Sequence, residues 1–180
     1  MRRKLAKWFV IAAAVGMVSA EEGGNPAPAY LAGLKALTGK RIPMKQAVVE
    51  RCSIDAVLGA SPHLSADMVV HANQVLLEYV SKNPEAVVFP VGSILLKEKF
   101  TAGKPDSTAI LTTRMERVAI TGAVEDWKFS ATSLTDGKPI GKQEAQSSCV
   151  VCHEDFEETS FVSPDSMKLL RAYMKDAPRK

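Results

Sequence analysis

Cysteine is scarce in this chain, with three in 180 residues, too few for a disulfide scaffold to stand in for a packed core. Histidine is equally scarce at three, and aromatic residues make up only 6%. After residue 20 no apolar run approaches the roughly twenty residues of a spanning helix, so the body of the protein is not a membrane bundle. A charge of one sign is missing too. The formal net charge is +3, but residues 1–20 hold Arg2, Arg3, Lys4 and Lys7 and no acid, which leaves 19 basic against 20 acidic residues in the rest. A near-neutral body offers no electrostatic reason to bind nucleic acid or an acidic membrane. Internal repeats, low-complexity tracts and interdomain linkers are also lacking. What the chain does have is 46% apolar and 24% charged residues. That is enough for one domain with a sizeable core and a soluble surface.

The first twenty residues read as an address. A basic start is followed by a short apolar stretch from Trp8 to Val18. Small residues then occupy Val18-Ser-Ala20, directly before Glu21-Glu22. This is the plan of a cleavable secretory signal, and the stretch is shorter than a membrane span. An uncleaved anchor is the plainer alternative. No cysteine lies at the cleavage site, against a lipoprotein. The mature protein is expected to begin near Glu21 and to work in the bacterial periplasm.

Residues 21–60 are expected as a helical lead-in, and residues 61–180 as the main domain. Gly23-Gly-Asn-Pro-Ala-Pro28 is flexible in character. Residues 28–38 and 44–52 carry mixed apolar spacing and predict short helices. Ser61-Pro-His-Leu-Ser65 predicts a turn and Met68–Ala72 a strand. Asn73 is a candidate cap for a helix over Gln74–Lys82, which Asn83-Pro84 ends. Strands are expected over Val91–Phe100, Thr108–Val118 and Asp126–Leu134, rich in Thr, Ile, Val, Trp and Phe. Asp136-Gly137 signals a hairpin into a further strand over 139–146. Ser148–Asp155 begins as a helical turn, and Ser163-Pro-Asp165 starts a last helix over 166–175. The expected class is α+β, mainly antiparallel sheet with flanking helices.

Cys149-Val-Val-Cys152-His153 is C-x-x-C-H, the attachment pattern of a c-type haem. Cysteines three apart on a helical turn share a face, so each thiol can add to one haem vinyl group. The histidine one residue on then offers its imidazole to the iron as proximal ligand. A structural zinc site needs a second ligand pair, and only Cys52, His63 and His71 remain, at no ligand-like spacing. A thioredoxin-like C-x-x-C wants a βαβ setting, whereas this motif follows antiparallel-looking strands near the C-terminus. One motif implies one covalently attached haem c. Small electron carriers of this kind bind haem near the N-terminus and are mainly helical; here most of the mature chain precedes Cys149.

Further blocks stand in order around the motif: Phe89-Pro-Val-Gly-Ser-Ile-Leu-Leu-Lys97-Glu98-Lys99, Asp126-Trp-Lys-Phe-Ser130, and Thr159-Ser-Phe-Val162 after the cysteines. With Pro62-His63 and Val70-His-Ala-Asn73 upstream, residues 60–165 resemble the cytochrome P-460 family, whose relatives include cytochrome c′-beta. The resemblance implies an antiparallel sheet with helices, a homodimer, and a five-coordinate haem with an open distal face. Members of the P-460 kind oxidise hydroxylamine and carry a covalent bond from a lysine amine to the haem rim. The c′-beta kind lacks that bond and binds nitric oxide or carbon monoxide. The lysine position carries over to Lys97. Strand alternation puts Lys97 with Leu95 and Lys99 on one face, and Ile94, Leu96 and Glu98 on the other. A strand lysine that serves solubility is the alternative.

Glu144 lies in the segment leading into Cys149, near the position that overhangs the distal iron in hydroxylamine-oxidising relatives. It is therefore a candidate proton acceptor, against a plain solvated carboxylate. His63 and His71 are candidate ligands or pocket residues, or structural histidines. Met68, Met115, Met167 and Met174 are candidates for a sixth ligand, or core filler. Phe89, Phe100, Trp127 and Phe129 are expected in the core. Three functions compete: hydroxylamine oxidation with electrons passed to a periplasmic partner, nitric oxide binding, and simple electron transfer.

Overall fold

The computed structural model describes residues 28–44, 66–140 and 143–176, with backbone alone for 143–148. The expected signal over 1–20, all but the first residue of the helix over 44–52, the turn at Ser61–Ser65, Cys52 and His63 lie outside the described residues. Among the described residues six strands form one antiparallel sheet: β1 (Leu34–Ala36), β2 (Ile42–Pro43), β3 (Ala66–Asn73), β4 (Ile94–Thr101), β5 (Ala109–Arg117) and β6 (Trp127–Ser133). The order is β1-β3-β4-β5-β6, with β2 also paired to β3. The described residues also form three α-helices: α1 (Gln74–Lys82), α2 (Gln143–Glu154) and α3 (Pro164–Asp176). The fold is α+β, as the alternating and periodic segments predict.

Local chemistry explains the best-predicted corner. Asn73 ends β3 and caps α1, its Oδ1 accepting from the Leu76 amide at 3.2 Å. The same oxygen accepts from the Ile94 amide at 3.0 Å, and its Nδ2 donates to the Gly92 carbonyl at 2.7 Å. One side chain thus ties a strand end, a helix start and the start of β4. Gly92 sits at φ +86 in that turn, a conformation other residues rarely adopt. For this reason β4 begins at Ile94 rather than at Val91.

Two expectations are corrected. Residues 28–38 do not form a short helix. A single turn at Ala29–Leu31 is broken by Gly33 at φ +73, and Leu34–Ala36 pairs with the edge of β3. Tertiary pairing overrides weak helical spacing here. The strand over 139–146 is also absent. Pro139 makes one isolated bridge to Thr132, and α2 starts at Gln143. Proline lacks the N–H a ladder needs, whereas Gln, Glu and Ala favour helix.

The sheet register sorts the side chains. Across one face run the rows Ala72–Leu95–Met115–Phe129, Val70–Lys97–Thr113–Ala131 and Met68–Lys99–Leu111–Ser133. The helices lie on this face. Leu76 and Val80 of α1 and Met167 and Leu170 of α3 share a core with Val70, Leu95, Met115, Trp127 and Phe129. Phe89 and Trp127 are fully buried and meet edge to face at 6.5 Å. The opposite face buries Leu96, Glu98, Phe100 and His71. There the N-terminal segment lays the Arg41 guanidinium 3.6 Å over the Phe100 ring.

Candidate haem-attachment site

Helix α2 packs on β6 and on the helical turn Val124–Asp126. At the motif Cys149 and Val150 pack against the core, while Val151 is 64% exposed. Cys149, Cys152 and His153, spaced three and four apart, share one face of the helix. The helix therefore begins five residues before the predicted Ser148, and the motif occupies its last two turns.

The His153 imidazole lies 4.7 Å from the Phe129 ring and 5.8 Å from the Phe156 ring, centroid to centroid. Its Nδ1 is 2.5 Å from the Phe161 carbonyl oxygen. A carbonyl can only accept, so Nδ1 carries the hydrogen and Nε2 keeps its lone pair. Burial pulls the imidazole down to about 4; the Phe161 hydrogen bond opposes this and the Lys97 ammonium adds to it. At neutral pH the ring is thus uncharged, the form a metal ligand requires. Burial likewise pushes the Cys149 thiol up, with Cys152 adding and Lys99 opposing.

The acceptor at Phe161 is held by unusual backbone. Ser160 at φ 51 and Phe161 at φ 66 are consecutive left-handed residues without a glycine between them. Such conformations cost on the order of 1–3 kcal/mol each and persist only where neighbours over-determine them. The Phe161 amide donates to the Phe156 carbonyl at 2.7 Å, and the Trp127 indole donates to the Ser160 carbonyl at 2.8 Å. The Thr159 hydroxyl donates to the Val162 carbonyl at 2.5 Å.

Lys97 and Lys99 both stand on the helix-bearing face. Lys99 is 1% exposed and Lys97 half-buried. The Lys97 ammonium acts electrostatically on His153, and that of Lys99 on Cys149. Glu144 is not at the end of a strand. It lies in the first turn of α2, and nine residues of helix make about two and a half turns. Its Cα is therefore across the helix axis from that of His153. His71 is on the far face of the sheet, where its Nε2 meets Glu98 Oε2 at 2.6 Å and Tyr30 donates to Glu98 Oε1 at 2.8 Å. Met115 and Met167 are buried in the core.

Among the described residues, no three His, Cys, Asp or Glu side chains gather as a metal-ligand cluster, and no helix is long and apolar enough to cross a membrane. The donor set at the motif is of another kind. It comprises two thiols one helical turn apart and one neutral imidazole, oriented through Nδ1 with Nε2 available. Sequence reasoning missed the Ser160–Phe161 turn. Thr159-Ser-Phe-Val162 stood out as a block, but no local residue preference signals two left-handed positions there. No protein-family model matches the chain, and no curated protein matches it significantly.

Proposed function

We propose that the chain is an exported monohaem c-type cytochrome, resembling cytochrome P-460. It oxidises hydroxylamine at an open haem iron, and the electrons pass to a periplasmic electron-transfer protein. One observation carries the reading: Cys149, Cys152 and His153 lie on one face of α2, with His153 Nδ1 donating to the Phe161 carbonyl. That hydrogen bond leaves the Nε2 lone pair available and raises its basicity, so His153 would be the residue that ligates the iron of a bound haem. The two thiols would hold the haem as thioethers, and the haem, when bound, supplies the redox couple. Phe129 and Phe156 pack around the partly buried imidazole. Lys97, on the face that carries α2, is the amine for the rim bond. Export after Ala20 and homodimer formation belong to the same proposal.

Glu144, in the first turn of α2 rather than at a strand end, is the candidate proton acceptor that the resemblance implies.

The test is a tryptic digest of protein purified from an exporting host, followed by mass spectrometry. The expected haem peptide joins the Cys149–His153 segment to the Lys97 strand. Haem linked through the two cysteines alone, with no turnover of hydroxylamine, would leave the nitric oxide-binding reading. Absence of covalent haem would overturn both.

A further inference from the structure

We propose that the buried Arg117–Asp126 pair positions the proximal imidazole by clamping the Ser160–Phe161 turn. The inference rests on the haem reading above. The Arg117 and Asp126 side chains are only 1% and 2% exposed, with NH2 3.2 Å from Oδ2. A buried ion pair is weak evidence for stability, since well-packed apolar residues of similar volume often serve as well. Its geometry therefore matters more than its charge.

Asp126 is itself held at three points: the Thr121 amide at 2.7 Å, the Thr121 hydroxyl at 2.6 Å and the Gly122 amide at 2.9 Å. The backbone of Arg117 is fixed to the start of β4, its amide donating to the Ser93 carbonyl at 2.9 Å and its carbonyl accepting from Gly92 at 2.8 Å. The anchored guanidinium uses its other arm on the turn, NH1 donating to Ser160 Oγ at 3.0 Å. The next residue, Phe161, presents the carbonyl that accepts from His153. Asp126, Arg117, Ser160, Phe161 and His153 thus form one continuous chain of contacts from the sheet to the imidazole.

Only a planar fork can hold a carboxylate and a hydroxyl together at fixed angles. By fixing Ser160, the fork fixes the Phe161 carbonyl and so the strength of the Nδ1 hydrogen bond. A stronger bond there makes the imidazole a better donor to iron and favours the ferric state.

The experiment uses haem-loaded protein and reads the iron–imidazole stretching band of the ferrous form, the midpoint potential and the unfolding midpoint. Ser160→Ala and Arg117→Met are expected to lower the band frequency and raise the potential. Arg117→Lys keeps a charge beside Asp126 but not the fork, and is expected to shift both in the same direction. If Arg117→Met does not fold, Ser160→Ala carries the test, because it removes one hydroxyl. A band and potential unmoved in Ser160→Ala, or fully restored by Arg117→Lys, would overturn the inference even where stability falls. Wild-type protein without thioether-bound haem would instead overturn the haem reading, and this inference with it.

Discussion

Asp126→Asn isolates one buried charge. In the native chain burial pushes the Asp126 carboxyl up, but the Thr121 hydroxyl, the Gly122 and Thr121 amides and the Arg117 guanidinium overcome this and hold it below its ordinary value. Asparagine keeps one oxygen acceptor, turns the other into a donor facing donors, and leaves Arg117 buried without its counter-charge. Breaking a buried pair from one side costs about 3–5 kcal/mol. With a urea slope of about 2 kcal/mol per molar, the unfolding midpoint should fall by roughly 1.5–2.5 M. The assay is equilibrium urea unfolding of the haem-loaded protein followed by far-ultraviolet circular dichroism. The double variant Asp126→Leu with Arg117→Met should recover most of the loss, because it leaves no orphaned charge. A single variant that shifts the midpoint by less than about 0.3 M would refute the reasoning. So would a double variant as unstable as the single one. Acid reports on the same group. Its folded value lies below the unfolded one, so its contribution is complete above pH 3.8 and is lost as pH falls below that.

Cys149→Ser and Cys152→Ser should each weaken covalent haem retention and together abolish it, read on denaturing gels stained for haem peroxidase activity. Asn73→Ala should cost about 2–3 kcal/mol in urea unfolding, since it removes a helix cap and two ties to the start of β4. For Glu98, burial pushes the carboxyl up, but His71, Tyr30 and Arg41 bring it below 4.5. Its contribution is therefore lost as pH falls below that value, and Glu98→Gln should flatten this acid limb of the stability profile. Lys97→Leu should return the ferrous absorption spectrum to that of an ordinary c-type haem and lower hydroxylamine turnover, with nitric oxide still binding.

Much of the fold was legible from local patterns. Asn73 capping Gln74–Lys82, the three central strands and the last helix behind Ser163-Pro164 follow from capping, β-branched content and proline placement. The C-x-x-C-H segment was legible for a similar reason: its spacing alone puts three side chains on one helix face. Alternation alone paired Lys97 with Leu95 and Lys99. What alternation could not say is which face receives the helices, because apolar side chains occur on both sides of β4. The two misread segments fail for different reasons. Over 28–38 the local preferences are weak, and over 139–146 the hairpin signal outweighed the proline and the helix-favouring residues after it. The outcome was decided by an available edge of β3 in the first case, and by a proline that ends pairing in the second.

The sequence by itself determined most elements and the placing of Cys149, Cys152 and His153 on one helix face, since each depends on neighbours within a few positions. Only the tertiary structure decided what stands around them. It sent His71 to the far face with Glu98 and put Glu144 on a helix. It also brought Trp127 and Arg117 to Ser160, across more than thirty residues of chain. Two left-handed residues in succession are unfavourable in any short peptide, so no local signal announces them. They exist because a buried indole and a buried guanidinium, fixed by the sheet, hold the turn whose carbonyl meets His153.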